Sequence, residues 1–189
     1  MKLNFDNITI SGGVSSGKNT LLNNLKPYLK NWKFFSGGLF MREYAISHNL
    51  ISKESAKHHL ATVYSDDFDK QVDAEMQKRL KEESHLVIEA WLIGFLARNF
   101  KNTLRVLLIC SDDALRIDRI VNRDKTTIEE AKHHIRYREE ENFKKWQRLY
   151  GNHNFFDPKY YQLVIDTYSS GPLETVGKVL DKLNYKIKH

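Results

Sequence analysis

Residues 12–20 form a glycine-rich segment that follows an apolar strand pattern and precedes a leucine-rich helical pattern. This order of strand, turn and helix is the context of a phosphate-binding loop. Glycines let backbone N–H groups point inward around phosphate oxygens, and the N-terminus of the following helix adds partial positive charge. A bound nucleoside triphosphate is therefore predicted, held by Gly12, Gly13, Val14, Ser15, Ser16, Gly17, Lys18, Asn19 and Thr20. An ordinary glycine-rich turn is the alternative, and the flanking strand and helix argue against it.

The composition is that of one compact domain. The chain has 189 residues, 41% of them hydrophobic, which is enough to bury a real core. No apolar run approaches the length of a membrane span, and residues 1–6 lack the apolar stretch of a signal peptide. Cys110 is the only cysteine, so no intrachain disulfide can form. We therefore expect a cytoplasmic protein that does not enter membranes.

The formal net charge of +6 means that a polyanionic partner must be considered. Basic residues crowd between Arg116 and Arg148, but acidic residues are interleaved with them, so much of this stretch is a helix face with paired charges. Nucleic acid is the alternative partner, yet the chain carries no recognition-module signature. Basic charge directed at the phosphates of a nucleotide explains the excess more simply, and nucleic-acid binding is not expected.

Five short segments rich in β-branched and aromatic residues alternate with helical patterns. Strands are predicted at residues 7–11, 32–35, 85–90, 104–111 and 161–166. An apolar stripe from Phe68 to Leu80 marks a helix before the third strand, and the last helix starts near Pro172. Strands that alternate with helices indicate a parallel sheet covered on both faces, which is an α/β fold.

Two inserts narrow the class of protein. A helical segment, residues 39–83, separates the second and third strands, and an arginine-rich segment, residues 122–140, follows the fourth. With the phosphate-binding loop, this arrangement resembles a nucleoside monophosphate kinase, and more closely the archaeal-type cytidylate kinases, over residues 8–183. The stretches that carry the likeness are Ser36-Gly37-Gly38, Phe40-Met41-Arg42-Glu43-Tyr44-Ala45, Val87-Ile88-Glu89-Ala90-Trp91-Leu92-Ile93-Gly94, residues 116–124, Arg138-Glu139, Lys145-Trp146, Tyr150-Gly151 and residues 163–167.

The resemblance implies a three-layer P-loop NTPase fold with a five-stranded parallel sheet in the order 2-3-1-4-5. It implies one kinase domain over residues 1–189, in which residues 39–83 bind the acceptor and residues 122–140 form a lid. The implied reaction moves the terminal phosphoryl group of ATP, with Mg²⁺, to a nucleoside monophosphate, CMP or dCMP. A kinase for UMP or another small phosphorylated acceptor, and a non-catalytic nucleotide-binding module, are the alternatives. A monomer or weak dimer is expected.

Such a transfer needs alignment and charge stabilisation more than a general base, because the acceptor phosphate is already an anion. Arginines suit this chemistry since their planar fork holds phosphate oxygens in pairs. The predicted catalytic residues are Lys18, Arg42, Arg123 and Arg138. By the resemblance, Arg42 holds the acceptor phosphate, Arg123 reaches the donor phosphates and Arg119 packs against the donor adenine. For each arginine, a surface ion pair is the alternative.

The acceptor is predicted to contact Ser36, Gly38, Arg42, Asp73, Glu89 and Trp91. Glu89 ends an apolar strand, where a carboxylate can orient a metal-bound water or meet an acceptor group; a solvated strand end is the alternative. Asp73 lies where the resemblance places an acid that faces the acceptor nucleoside. An exposed helix residue paired with Gln77 or Lys70 is the alternative there.

Three positions depart from the family's pattern. Asn19 stands where a Ser or Thr usually binds magnesium, and the hydroxyl of Thr20, one residue later, is predicted to bind the metal instead. Trp91 replaces an arginine, and its indole can stack on a base but cannot pair with phosphate; core packing is the alternative. Leu39 stands where the family usually has an acid. Two of these departures lie on the acceptor side, so the acceptor base stays open.

Overall fold

The computed structural model describes residues 2–52 and 61–186, so residues 53–60 of the predicted 39–83 insert lie outside the described part. The five strands are β1 (Asn7–Gly12), β2 (Lys33–Ser36), β3 (Leu86–Glu89), β4 (Thr103–Ile109) and β5 (Leu163–Asp166). They form one parallel sheet in the order β2-β3-β1-β4-β5. The predicted strand order is confirmed, and each predicted strand overlaps an observed one.

Seven helices connect and cover the strands in the described part of the chain. They are α1 (Lys18–Leu25), α2 (Gly37–Ser47), α3 (Asp66–Glu82), α4 (Ile93–Leu96), α5 (Asp113–Asp124), α6 (Ile128–Tyr150) and α7 (Pro172–Leu183). Short 3₁₀ turns lie at Ala61–Val63 and Pro158–Tyr160. Within these ranges, no helix is both long enough and apolar enough to cross a membrane.

The core consists of two apolar layers, one on each face of the sheet. On one face, Leu25 of α1 and Val179 of α7 pack against Ile8 of β1, and all three are fully buried. On the other face, Met76 of α3 and Ile93 of α4 pack against β3. Helices cover both faces of the central strands β1 and β3, all of whose residues are buried. The three-layer α/β fold is confirmed.

Polar side chains inside the core attach the central strand to its neighbours. The Asn7 amide of β1 donates to the carbonyl oxygens of Leu80 (3.0 Å) and Glu83 (2.8 Å) at the end of α3, and its oxygen accepts from the Leu86 N–H (3.0 Å). The Ser11 hydroxyl accepts from the Gly94 N–H (2.8 Å). Because buried polar groups need partners, these bonds fix how β1 sits between α3 and the turn that leads into α4.

Helix α6 runs unbroken from the predicted lid to the far side of the 39–83 insert. A capping box of Thr127 and Glu130 starts it, as the overlapping sequence signals predicted. Near its end, the buried Lys145 pairs with Asp69 of α3 and donates to the Tyr64 carbonyl oxygen (2.8 Å). A buried ion pair with an added hydrogen bond is rigid, since breaking it would leave an uncompensated charge. The contacts of Lys145 therefore fix the position of α6, including Glu139, which contacts the loop after β1.

Replacing Leu25 with alanine tests the α1 face of the core. Leu25 is fully buried, so Leu25→Ala should lower the free energy of unfolding by about 2–5 kcal/mol. Leu173→Ala is the matched control because its side chain is 74% exposed, and its cost should stay within about 0.5 kcal/mol. Denaturant titration measures both; equal losses would contradict the packing described.

Candidate active site

The glycine-rich segment forms a tight loop between β1 and α1. Gly12 (φ 149°), Ser15 (φ 58°) and Gly17 (φ 92°) all adopt positive φ, a conformation that residues other than glycine rarely adopt. A Cβ on Gly12 would lie 2.6 Å from the Ser16 hydroxyl and closer still to the Leu108 carbonyl oxygen, so no larger residue fits there. The Ser16 hydroxyl donates to the Gly13 carbonyl oxygen (3.0 Å). The loop therefore has the concave backbone that phosphate binding requires.

Lys18 lies at the start of α1 and folds back over this loop. Its ammonium donates to the Gly13 carbonyl oxygen (2.8 Å) and lies 5.1 Å from the centre of the Trp91 ring. Burial lowers the pKa of Lys18 to about 8; Glu89 and Glu139 oppose this shift, and Arg138 and Arg116 add to it. An enclosed ammonium that is poorly compensated by carboxylates favours the arrival of an anion.

Trp91 follows β3 and lies between the glycine-rich loop and the predicted lid. The guanidinium carbon of Arg138 is 5.6 Å from its ring centre, so one indole meets two cations, Arg138 and Lys18. The ring also packs against Trp146 of α6 at a centroid distance of 5.1 Å. Aromatic faces attract cations through their negative quadrupole. Trp91 is thus packed, but against the predicted catalytic groups.

Three of the predicted arginines lie near one another. Burial, together with the charges of Arg42 and Arg123, lowers the pKa of Arg138 to about 10. The Nε atoms of Arg42 and Arg138 are buried without a hydrogen-bond partner among the described residues. Buried donors without partners are costly unless a ligand supplies the acceptor. This arginine cluster, Arg42 with Arg123 and Arg138, is therefore a candidate anion site.

Arg123 and Arg119 have different surroundings from each other. The Arg123 side chain is 53% exposed and forms a two-pronged contact with Asp124 (2.9 and 2.6 Å). Arg119 instead donates to the Ser15 carbonyl oxygen (2.9 Å) and to both oxygens of Thr167 (3.0 and 2.9 Å). The ion-pair alternative therefore describes Arg123 in this structure, whereas Arg119 connects α5 to the phosphate loop and to the loop after β5.

Glu89 and Ser36 meet at the ends of two adjacent strands. The Glu89 side chain is only 4% exposed, so the alternative of a solvated strand end is wrong. The Ser36 hydroxyl donates to Glu89 Oε2 (2.7 Å) and accepts from the Leu39 N–H (3.2 Å) as the N-cap of α2. Gly38 follows in the first turn of α2, next to this pair. Leu39 itself is half exposed.

A cavity opens between α2, α3, α6 and the turn after β3. Its walls include Gly38, Tyr64, Asp73, Trp91, Arg138 and Asn142. The Asp73 carboxylate accepts a hydrogen bond from the Tyr150 hydroxyl. Burial raises the pKa of Asp73 to about 7, although the Tyr150 bond opposes the shift. Gln77 donates to the backbone oxygen of Asp73 (3.3 Å) rather than to its carboxylate, so the predicted alternative of an exposed, paired carboxylate is wrong.

The predicted metal ligand, Thr20, lies at the surface of the structure. Asn19 and Thr20 are both exposed in the first turn of α1. In the described ranges, no group of three or more histidine, cysteine, aspartate or glutamate side chains could hold a metal ion.

Several residues that touch this site carried no assigned role in the sequence analysis. Glu139 accepts a hydrogen bond from the Val14 N–H (3.0 Å) across 125 positions of sequence, and Arg116 pairs with the same carboxylate. Thr167 supports Arg119, and Tyr150 supports Asp73. The Arg138-Glu139 stretch belonged to the family likeness, but no local pattern indicates that Glu139 reaches the phosphate loop.

Comparison with known proteins places the chain in a family. The sequence model of the cytidylate kinase-like family matches residues 7–169. The chain belongs to this family. A cytidylate kinase of Pyrococcus abyssi is 31% identical over 95% of this chain and 96% of its own length. A cytidylate kinase of Sulfolobus acidocaldarius is 31% identical over 96% of each chain.

A solved structure supports the same fold. The crystal structure of a gluconokinase from Sinorhizobium meliloti superposes with a TM-score of 0.61 over 97% of this chain and 94% of its own, at 14% identity. At that identity the likeness concerns the fold alone. The matched residues of the family, 7–169, include the glycine-rich loop, the arginine cluster and the cavity. The predicted membership of the cytidylate kinase-like family and the predicted P-loop kinase fold are confirmed.

The surroundings of Lys18 predict an unusual titration. Because burial lowers its pKa to about 8, its ammonium should lose its proton as the pH rises through 8, and attraction for phosphates should weaken with it. NMR titration of labelled lysine Cε resonances measures this, with Lys18→Arg used to assign the signal. Added ADP should move the midpoint upward, because phosphate stabilises the ammonium. A midpoint at the ordinary 10.5 would contradict the enclosure of Lys18.

Proposed function

We propose that this chain transfers the terminal phosphoryl group of ATP to CMP or dCMP. The observation that carries the proposal is the buried Arg138 guanidinium, which shares the Trp91 ring with the Lys18 ammonium, together with the Nε atoms of Arg42 and Arg138, which are buried without a hydrogen-bond partner among the described residues. A protein that only bound ATP would need the loop and Lys18 but no second set of enclosed cations. Two adjacent cation sites suit two phosphates that repel each other.

The donor phosphates occupy the loop in this proposal. Backbone N–H groups of residues 12–17 and the N-terminus of α1 surround them, and Lys18 neutralises charge on the transferred group. Arg123 exchanges Asp124 for a donor phosphate, and Arg119 presents its flat face to the adenine while Thr167 holds its edge. The acceptor phosphate binds to Arg42 and Arg138. The acceptor oxygen is already anionic, so no side chain has to remove a proton before attack.

Magnesium fits this site through oxygen ligands rather than through a protein cage. The Thr20 hydroxyl would contribute to its shell, and the buried Glu89 carboxylate, held by Ser36 (2.7 Å), would orient its water. When bound, the ion would neutralise phosphate charge. Ser36 keeps Glu89 directed towards the carboxyl end of the sheet whether or not the ion is present.

The cavity supports a cytosine-bearing acceptor. Asp73 lies in its wall with one carboxylate oxygen bonded to Tyr150. A carboxylate accepts hydrogen bonds, and the exocyclic amino group of cytosine donates them, whereas uracil presents a carbonyl at that position. We infer that Asp73 favours CMP over UMP. Trp91 lines the same cavity. Lys18 and Arg138 lie over its ring, so the acceptor would contact the edge of the indole.

An ADP-release assay over a panel of nucleoside monophosphates tests the function. CMP or dCMP should give the highest kcat/KM, and Lys18→Ala should lower kcat by about a hundredfold or more, because a transition-state contact is lost. ATP binding should change less than kcat. Nucleotide binding without turnover on any acceptor would favour the non-catalytic alternative, and a preference for UMP would overturn the proposed role of Asp73.

Removing Arg42 separates acceptor binding from donor binding. Arg42→Ala should raise the KM for CMP by about tenfold or more and lower kcat, while the Kd of ATP stays nearly unchanged. Arg136→Ala is the matched control, since Arg136 lies on α6 with an 83% exposed side chain paired to Glu140. Equal losses of ATP and CMP affinity in Arg42→Ala would show that Arg42 acts on the fold rather than on the acceptor.

A further inference from the structure

The phosphate loop of this structure already contains an anion supplied by the chain itself. One carboxylate oxygen of Glu139, Oε1, accepts from the Val14 N–H at 3.0 Å. A Cβ added to Gly13 would lie 2.5 Å from the same oxygen, so Glu139 packs directly onto the loop backbone. Backbone N–H groups of such a loop are the donors that receive phosphate oxygens. Glu139 therefore occupies space that belongs to the donor.

Arg116 completes this arrangement from α5. Its guanidinium pairs with Glu139 Oε1 and donates to the Val14 carbonyl oxygen (3.2 Å) and to Asp113 (3.1 Å). The Arg116 side chain is only 15% exposed, whereas Asp113 is 82% exposed. Exposed pairs contribute little, so Glu139 is the main counter-charge of Arg116. An arginine fixed beside the loop backbone is placed to hold phosphate once that counter-charge leaves.

We propose that Glu139 is an internal anion that the donor phosphates displace from the loop, and that Arg116, released from it, becomes a further ligand of those phosphates. The proposal rests on the proposed donor site and adds two residues to it. One anion replaces another: the Glu139 carboxylate leaves, and a phosphate oxygen accepts from the Val14 N–H and pairs with the Arg116 guanidinium in its place. In the empty protein, Glu139 keeps Arg116 and the loop from being left uncompensated.

The exchange has a cost that the donor must meet. A loop occupied by Glu139 cannot bind phosphate. The apparent affinity for nucleotide is therefore the intrinsic affinity multiplied by the fraction of molecules in which Glu139 is out of the loop. Displacement also frees the segment of α6 that carries Arg138, the neighbour of Glu139 in sequence and a wall of the acceptor cavity. Donor binding would thereby act on the acceptor side through one helix, whose far end Lys145 holds in place.

Isothermal titration with ADP tests the displacement. Glu139→Gln weakens the competing anion while keeping its shape, so ADP should bind about fivefold or more tightly. Glu140→Gln is the matched control: it removes the same charge from the next residue of α6, where Glu140 pairs with Arg136 at the surface (2.9 Å). Its ADP affinity should stay that of the parent. Glu139→Asp has a shorter side chain that withdraws the carboxylate from the loop, so its ADP affinity should lie between those of the parent and Glu139→Gln. It replaces Glu139→Gln as the test if that variant does not fold.

A double-variant cycle tests Arg116. In the Glu139→Gln background, Arg116→Met should weaken ADP binding by about tenfold, because a charge-assisted phosphate contact is lost with no carboxylate left to be unpaired. Adenosine, which has no phosphates, should bind all variants alike. Weaker ADP binding in Glu139→Gln, or no effect of Arg116→Met in that background, would overturn the proposal. A parent protein that binds ADP but transfers no phosphoryl group would overturn the proposed function alone.

Discussion

Repulsion among enclosed cations is the constraint on which this structure depends. Lys18 and Arg138 both lie over the Trp91 ring, and the charge of Arg42 acts on Arg138. Burial lowers the pKa of Lys18 to about 8 and is the main reason why that of Arg138 falls to about 10. Such groups remain folded together only if something lowers their mutual repulsion. Here an indole, two carboxylates and a carbonyl oxygen do so.

Trp91 shows how an aromatic side chain meets this constraint. An arginine at this position would add a further cation beside Lys18 and Arg138. The indole instead meets Lys18 at 5.1 Å and Arg138 at 5.6 Å, so it attracts both without carrying charge.

The scaffold keeps these groups close by fastening α6 at two places. Lys145 and Asp69 form a buried pair near its end, and Glu139 reaches the phosphate loop nearer its start. The first contact joins the helix to the acceptor insert and the second to the donor loop. Of these two contacts, only that of Glu139 would compete with a ligand in the proposed exchange. The Lys145–Asp69 pair would stay formed, so α6 could move near Glu139 while its end remained fixed.

Sequence alone determined the elements of the fold. Periodicity in the apolar residues is local, so the strands, the glycine turn and the capping box at Thr127 could all be predicted, and the family likeness supplied the strand order. The phosphate-loop pattern named Lys18, the end of the third strand named Glu89, and the family likeness named Arg42 and Asp73. In the structure, Asp73 lines the cavity and the charge of Glu89 acts on Lys18.

Only the tertiary structure decided which partner each of these groups has. Glu139 meets Val14 across 125 positions, and Tyr150 meets Asp73 across 77. No short-range pattern encodes such contacts, because they depend on where α6 crosses the sheet and on which of its side chains then face the loop. The same crossing decided that Trp91 packs against Trp146 and the apolar clusters around it while Lys18 and Arg138 also lie near its ring. The residue types in the sequence indicated the chemistry of the site, whereas the contacts between those residues depended on how the helices pack.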